Sequence, residues 1–130
     1  MGIFGSLFGG SESKSTAVSN VNWIPLTSLD QINEIKEQSK SETVLLFKHS
    51  TRCGISSMVI KRFESMFDES MKDIKVYYLD LLNYRGISDE VGYTFQAMHQ
   101  SPQLLVIRNE TAVVNASHYD ITHVDFQKYL

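Results

Sequence analysis

The chain has 130 residues, 42% of them hydrophobic and 21% charged, with a formal net charge of −3, enough for one domain with one real core. A weakly acidic chain with no block of Lys and Arg lacks the electrostatic footprint of a nucleic-acid binder. Its one cysteine, Cys53, excludes an intramolecular disulfide scaffold, and no apolar run approaches the roughly 18 residues of a membrane span. The expected setting is a reducing cytoplasm, where a lone thiol persists.

Met1 to about Asn20, "MGIFGSLFGGSESKSTAVSN", is rich in Gly and Ser and has no sustained period, so a flexible tail is expected over residues 1–20 and one domain over 21–130. Its start lacks the basic cluster and long apolar stretch of a secretory signal. "MGIFGS" formally fits the N-myristoylation pattern, which is short and frequent by chance. The blander reading is a brief apolar turn of Ile3, Phe4, Leu7 and Phe8.

From Val21 the pattern is regular. "VNWIPL" predicts a short strand, with Pro25 favouring an edge position. "SLDQINEIKEQSK" predicts a helix with Ser28 as N-cap and Leu29, Ile32 and Ile35 on its inner face. "ETVLLFKHS" is a continuous apolar run of strand length, as in a central strand covered on both faces. After Cys53, the residues Ile55, Met58, Val59, Phe63, Met66 and Phe67 recur at spacings of three and four, which predicts an amphipathic helix. Its Met and aromatic stripe reads as core packing.

"DIKVYYLDL" predicts another strand. "SDEVGYTFQAMHQ" predicts a helix that could begin nearer Tyr84, with Val91, Phe95 and Met98 inward. "PQLLVIRN" and "TAVVNAS", joined by "RNET", predict an antiparallel hairpin. "ITHVDFQKYL" predicts a closing helix. The order is β-α-β-α-β-α-β-β-α, an α/β chain compatible with a thioredoxin-like fold in which helices flank a central mixed sheet. Order alone does not choose that fold; the placing of Cys53 and Pro102 favours it.

Cys53 stands where an apolar strand ends and a helix begins. There it meets backbone N–H groups without intrahelical partners and the positive end of the helix dipole, both of which favour thiolate over thiol. Lys48, His49, Arg52 and Lys61 lie near it in sequence. Ser56, three residues on, occupies the place of a resolving cysteine in a C-x-x-C pair, so "CGIS" keeps a hydroxyl and lacks the second sulfur. Such a thiol can form a mixed disulfide but needs an outside thiol to resolve it. Ser56, with the N–H groups of Ile55 and Ser56, is a candidate stabiliser of the thiolate. The competing reading is a buried, inert cysteine, which the polar run "HSTRCG" disfavours.

In thioredoxin-like sites a cis-proline just before a strand faces the nucleophile and presents backbone groups to substrate. Pro102, preceded by Ser101, stands about where that proline belongs. The four histidines, His49, His99, His118 and His123, are scattered and form no metal-ligand spacing; no metal is expected.

"KHSTRCGISS", "HQSPQ" and "ASHYDIT", with "WIPL" near the start, together resemble the monothiol bacilliredoxin family over about Val21 to Leu130. Gly54 stands where members commonly have Pro, and Gln100 where they tend to have an acidic residue. The resemblance implies removal or addition of bacillithiol on client protein cysteines through a Cys53 mixed disulfide, with bacillithiol as exchangeable co-substrate and no bound cofactor. It implies a groove shaped by Ser101 and Pro102 and lined by Thr51, Arg52, Ser56 and Ser57. S-thiolated client proteins and the low-molecular-weight thiol are the expected partners, and a monomer the expected state.

Two other readings stay open. "CGIS" is similar to the "CGFS" run of monothiol glutaredoxins, which hold a [2Fe–2S] cluster between subunits, although Ile55 replaces the aromatic. The third is a stress-related interaction domain that keeps the fold without the chemistry, in which Cys53→Ser would change nothing but stability.

Overall fold

The computed structural model describes residues 19–130. Most of the expected tail and the myristoylation pattern lie outside that range. Five strands are found: β1 (Asn22–Pro25), β2 (Val44–His49), β3 (Lys75–Asp80), β4 (Gln103–Arg108) and β5 (Thr111–Ser117). Three helices, α1 (Asp30–Gln38), α2 (Gly54–Ser65) and α3 (Arg85–Phe95), alternate with the first four strands.

The sheet order is β1-β3-β2-β4-β5. β1, β3 and β2 are parallel, whereas β4 runs antiparallel to β2 and pairs with β5 as a hairpin. The hairpin turns through Asn109 and Glu110, both with positive φ (49° and 65°), the backbone of a type I′ turn whose twist matches the flanking strands. β2 sits at the centre, and all six of its residues are buried, as its unbroken apolar run requires. The parallel strands all end on one edge of the sheet, where β4 begins. That edge carries Cys53 and Pro102.

The sheet divides two apolar clusters. On one side Val59 and Phe63 of α2, with Phe67, Ile121 and Phe126, cover Leu45, Phe47, Val76, Leu104 and Val106. On the other, Ile32 and Ile35 of α1 and Val91 and Phe95 of α3 cover Val44, Leu46, Tyr77, Leu79, Leu105 and Ile107. Alternation along β2 sends successive side chains to opposite faces, so Lys48 belongs to the α1/α3 side and His49 to the α2 side.

Several expected details are corrected. Ser28 is not the N-cap of α1; Leu29 is, already with helical dihedrals and exposed. Instead Gln31 Oε1 accepts from the N–H groups of Thr27 (2.7 Å) and Ser28 (3.1 Å). Ile55 and Met58 are exposed, while Ser56 takes the buried place on α2. Met98 is also exposed, because Gln96 turns left-handed (φ 52°) and ends α3 before the inward stripe reaches it. The closing helix is absent as such. His118–His123 and Phe126–Tyr129 are two 3₁₀ turns, which bury Ile121 and Phe126 against α2 without a continuous helical ladder.

Candidate functional site

The turn after β2 places the thiol. Cys53 N–H donates to Ser50 C=O at 3.1 Å, and Cys53 C=O accepts the Ser57 N–H at 3.0 Å, the first bond of α2. Cys53 is therefore the N-cap, with extended dihedrals (φ −101°, ψ 119°) and no side-chain capping bond. Its thiol is half-buried beside the N–H groups of the first turn, which lack intrahelical partners by the geometry of any helix start. Thr51 and Arg52 are exposed on the turn, and Ser57 is half-buried on the helix.

Ser56 points inward. Its hydroxyl is buried and accepts the Ser50 N–H at 3.2 Å, and it lies 2.7 Å from His49 Nδ1. Among the described residues no hydrogen bond joins it to the Cys53 sulfur. The His49–Ser56 contact ties the end of β2 to the first turn of α2 and so fixes the loop that carries the thiol. Burial holds the His49 imidazole below its ordinary pKa, against the opposing charges of Asp80 and Glu64; the ring is neutral near pH 7.

Pro102 stands one step beyond the last β2–β4 pair, Lys48 with Gln103, and so lies across from His49. The Ser101–Pro102 bond is cis. Pro102 C=O accepts the His118 N–H at 3.0 Å, which places His118 at this edge of the sheet. Ser101 makes no backbone hydrogen bond among the described residues. Its N–H and C=O are thus without a protein partner there.

Lys48 was legible only as a positive group near Cys53 in sequence, and His99 only as one of four scattered histidines. The structure buries Lys48 completely and directs its amine to Ser88 C=O (3.2 Å) and His99 Nδ1 (3.5 Å). The one available signal was a lysine at a covered position of a central strand. Among the described residues no group of three or more His, Cys, Asp or Glu side chains is placed to hold a metal.

Gly54 has open space where a Cβ would stand, it is the first helical residue, and the extended Cys53 before it suits a following proline. Gly54→Pro is expected to raise stability by about 0.5–1 kcal/mol, chiefly by restricting the unfolded chain. Urea unfolding of the variant checks this; a loss of stability would mean that the Gly54 N–H has a role.

A half-buried cysteine at a helix start, on the same sheet edge as a cis-proline, defines a thioredoxin-fold thiol redox protein. A solved structure with a thioredoxin fold is 31% identical, covering 76% of this chain and 85% of its own, with a TM-score of 0.65. The thioredoxin of Malassezia sympodialis is 17% identical, covering 89% and 97%, with a TM-score of 0.68. That of Schistosoma mansoni is 18% identical, covering 83% and 98%, at 0.63. These last two are similar in fold. The family description "Monothiol bacilliredoxin BrxC" matches residues 24–126, and the chain belongs to that family. Its function is thiol redox chemistry.

Proposed function

We propose that the protein exchanges bacillithiol between client protein cysteines and the free thiol pool through Cys53. The observation that carries this reading is the placement of the chain's one thiol as N-cap of α2. Cys53 thiolate attacks the bacillithiol sulfur of a client mixed disulfide. The old S–S bond breaks, the client leaves as thiolate and takes up a proton, and a Cys53–bacillithiol disulfide remains. Because Ser56 holds the resolving position and the chain has no second sulfhydryl, a second bacillithiol thiolate must attack that disulfide. Bacillithiol disulfide leaves and Cys53 is restored. The same steps reversed add bacillithiol to a client.

The N–H and C=O of Ser101, beside Pro102, have no backbone partner among the described residues and suit an extended segment of client or thiol. Thr51, Arg52 and Ser57 border the thiol from the turn and helix. Ser56 acts through His49 and the Ser50 N–H to hold the loop. The reading takes the protein as a cytoplasmic monomer without a bound cofactor, its partners being S-thiolated proteins and the small thiol.

The test is intact mass of wild type and Cys53→Ser after incubation with bacillithiol disulfide and, separately, glutathione disulfide. One bacillithiol adduct on wild type, absent from the variant and removed by added bacillithiol, is the expected result. Equal reaction with both disulfides would leave monothiol exchange standing without selectivity. Failure of both, and of a small alkylating reagent, would overturn the reading.

A further inference from the structure

Lys48 is a lysine buried in a central strand at the edge where the chemistry takes place, and neither the thiol nor the cis-proline explains it. Burying an ammonium is costly unless it is paired and hydrogen-bonded. Its amine reaches Ser88 C=O in the first turns of α3 at 3.2 Å and, at the long limit of 3.5 Å, Nδ1 of His99 in the segment leading to Pro102. His99 Nδ1 also lies 3.5 Å from the hydroxyl of Ser88, itself fully buried. The charged groups acting on this amine and imidazole are Asp89 and Arg85, both on α3.

The residues on either side of Pro102 complete the arrangement. Lys48 and Gln103 are direct cross-strand partners, so their side chains leave the sheet on the same face. Gln103 is fully buried, and its Nε2 donates to Met98 C=O (2.9 Å) and Asn115 Oδ1 (2.8 Å). Its Oε1 and the Oγ of Ser101 are buried and have no hydrogen-bond partner among the described residues. An ammonium has three hydrogens, one more than the two contacts use. A spare donor therefore stands on the same sheet face as the Gln103 acceptor, with the Ser101 acceptor on the other side of the proline.

We propose that the Lys48 ammonium is a positioning residue. By joining α3 to the His99–Pro102 segment it holds the unpaired backbone groups of Ser101 in place to receive the disulfide substrate, and so sets the affinity of the site. The proposal rests on the reading of Cys53 as an exchanging thiol. The Cys53 loop hangs instead on the His49–Ser56 contact of the opposite face, so Lys48 affects binding and leaves the reactivity of the thiol alone. Burial brings the amine's pKa down to about 8, so the tie weakens in mild alkali as the charge is lost.

Lys48→Met, Lys48→Arg and wild type separate the outcomes. Lys48→Met removes a buried charge while keeping the chain's bulk, so its Tm at pH 7 is expected to rise by about 4 °C or more. Its KM for a bacillithiolated peptide is expected to rise roughly tenfold, the loss of one charge-assisted hydrogen bond, with kcat and Cys53 alkylation unchanged. Dividing the single-turnover rate of bacillithiol transfer to Cys53 by the alkylation rate cancels ionisation of the thiol. That ratio should fall through pH 8 in wild type, stay flat in Lys48→Met, and stay both high and flat in Lys48→Arg. An unchanged KM in Lys48→Met, or a ratio that follows wild type, would overturn the proposal.

A readout that needs no exchange is the backbone amide signals of Ser101 and Gln103. They should titrate near pH 8 in wild type and not in Lys48→Met. If wild type exchanges nothing yet these signals behave so, the parent reading fails and the tie stands. If the signals do not respond to Lys48, the tie fails whatever the exchange assay shows.

Discussion

Phe63→Ala is expected to cost about 3–5 kcal/mol of folding stability, the range for truncating a fully buried aromatic. Phe63 has no solvent exposure, and four rings surround it: Phe47 and Phe67 at 5.1 Å, Trp23 and Phe126 at 5.8 Å between centroids. It joins α2 to β1, β2 and the C-terminal 3₁₀ turn at once, so no single neighbour can move in to fill the cavity. A domain of this size has only about 5–15 kcal/mol in total, and the variant should sit near the edge of folding at 37 °C. Urea unfolding with the slope held as a check on two-state behaviour measures the loss. A cost below 1 kcal/mol would mean that the ring cluster collapses around the gap.

Stability should climb as pH rises from 8 toward 10. Lys48 loses its proton near pH 8 in the folded protein and near 10.5 in the unfolded chain, because burial disfavours its charge more than Asp89 supports it. Between those values the unfolded chain binds the extra proton, so raising the pH favours folding. The full span is worth up to about 3 kcal/mol. His49 and His99, both held low chiefly by burial, act with the same sign in acid. Below pH 6.5 the unfolded chain protonates first and stability falls further.

Above pH 10 the trend reverses. Burial holds the Tyr77 and Tyr78 hydroxyls protonated longer than in the unfolded chain, and a hydrogen bond to Glu42 keeps Lys75 charged. Both contributions fade as pH rises. Thermal unfolding across pH 5–11 should therefore peak near pH 9–10, and Lys48→Met should lack the alkaline rise. A wild-type curve that is flat from pH 8 to 10 would show that the buried amine finds better compensation than Ser88 and His99 provide.

The strands were legible because their signals are local. The apolar run of β2 could be covered on both faces only at the centre of a sheet, and Thr111–Ser117 stood out with its turn. Cys53 at a strand–helix junction and Pro102 before a strand marked the candidate site from sequence, and the fold brings both to one edge of the sheet. The unread features depend on where chains meet. Ser56 looked like a hydroxyl for the thiol, but His49 and the Ser50 N–H, across the loop, draw it inward. Met98 fitted the helical spacing, yet one left-handed residue, Gln96, ended α3 first. The C-terminal residues were expected as a helix too, but they form two short 3₁₀ turns that bury Ile121 and Phe126 beside α2. Lys48 was read by its charge, while its strand position buried it.

The order of the sheet has a consequence for synthesis. β1 leaves the ribosome first, but its only neighbour is β3, so its backbone groups stay unpaired until Lys75–Tyr78 has emerged. β2 waits longer for completion: its second neighbour, β4, arrives only with Gln103–Ile107. Throughout that interval Val44–Phe47 is a flat apolar stretch with a bare edge, the kind of segment that associates with other nascent chains. Lys48 and His49 close that run with polar groups, and a charge beside an aggregation-prone strand acts as a gatekeeper. The lysine whose burial is costly in the finished protein thus protects the strand while the chain is incomplete.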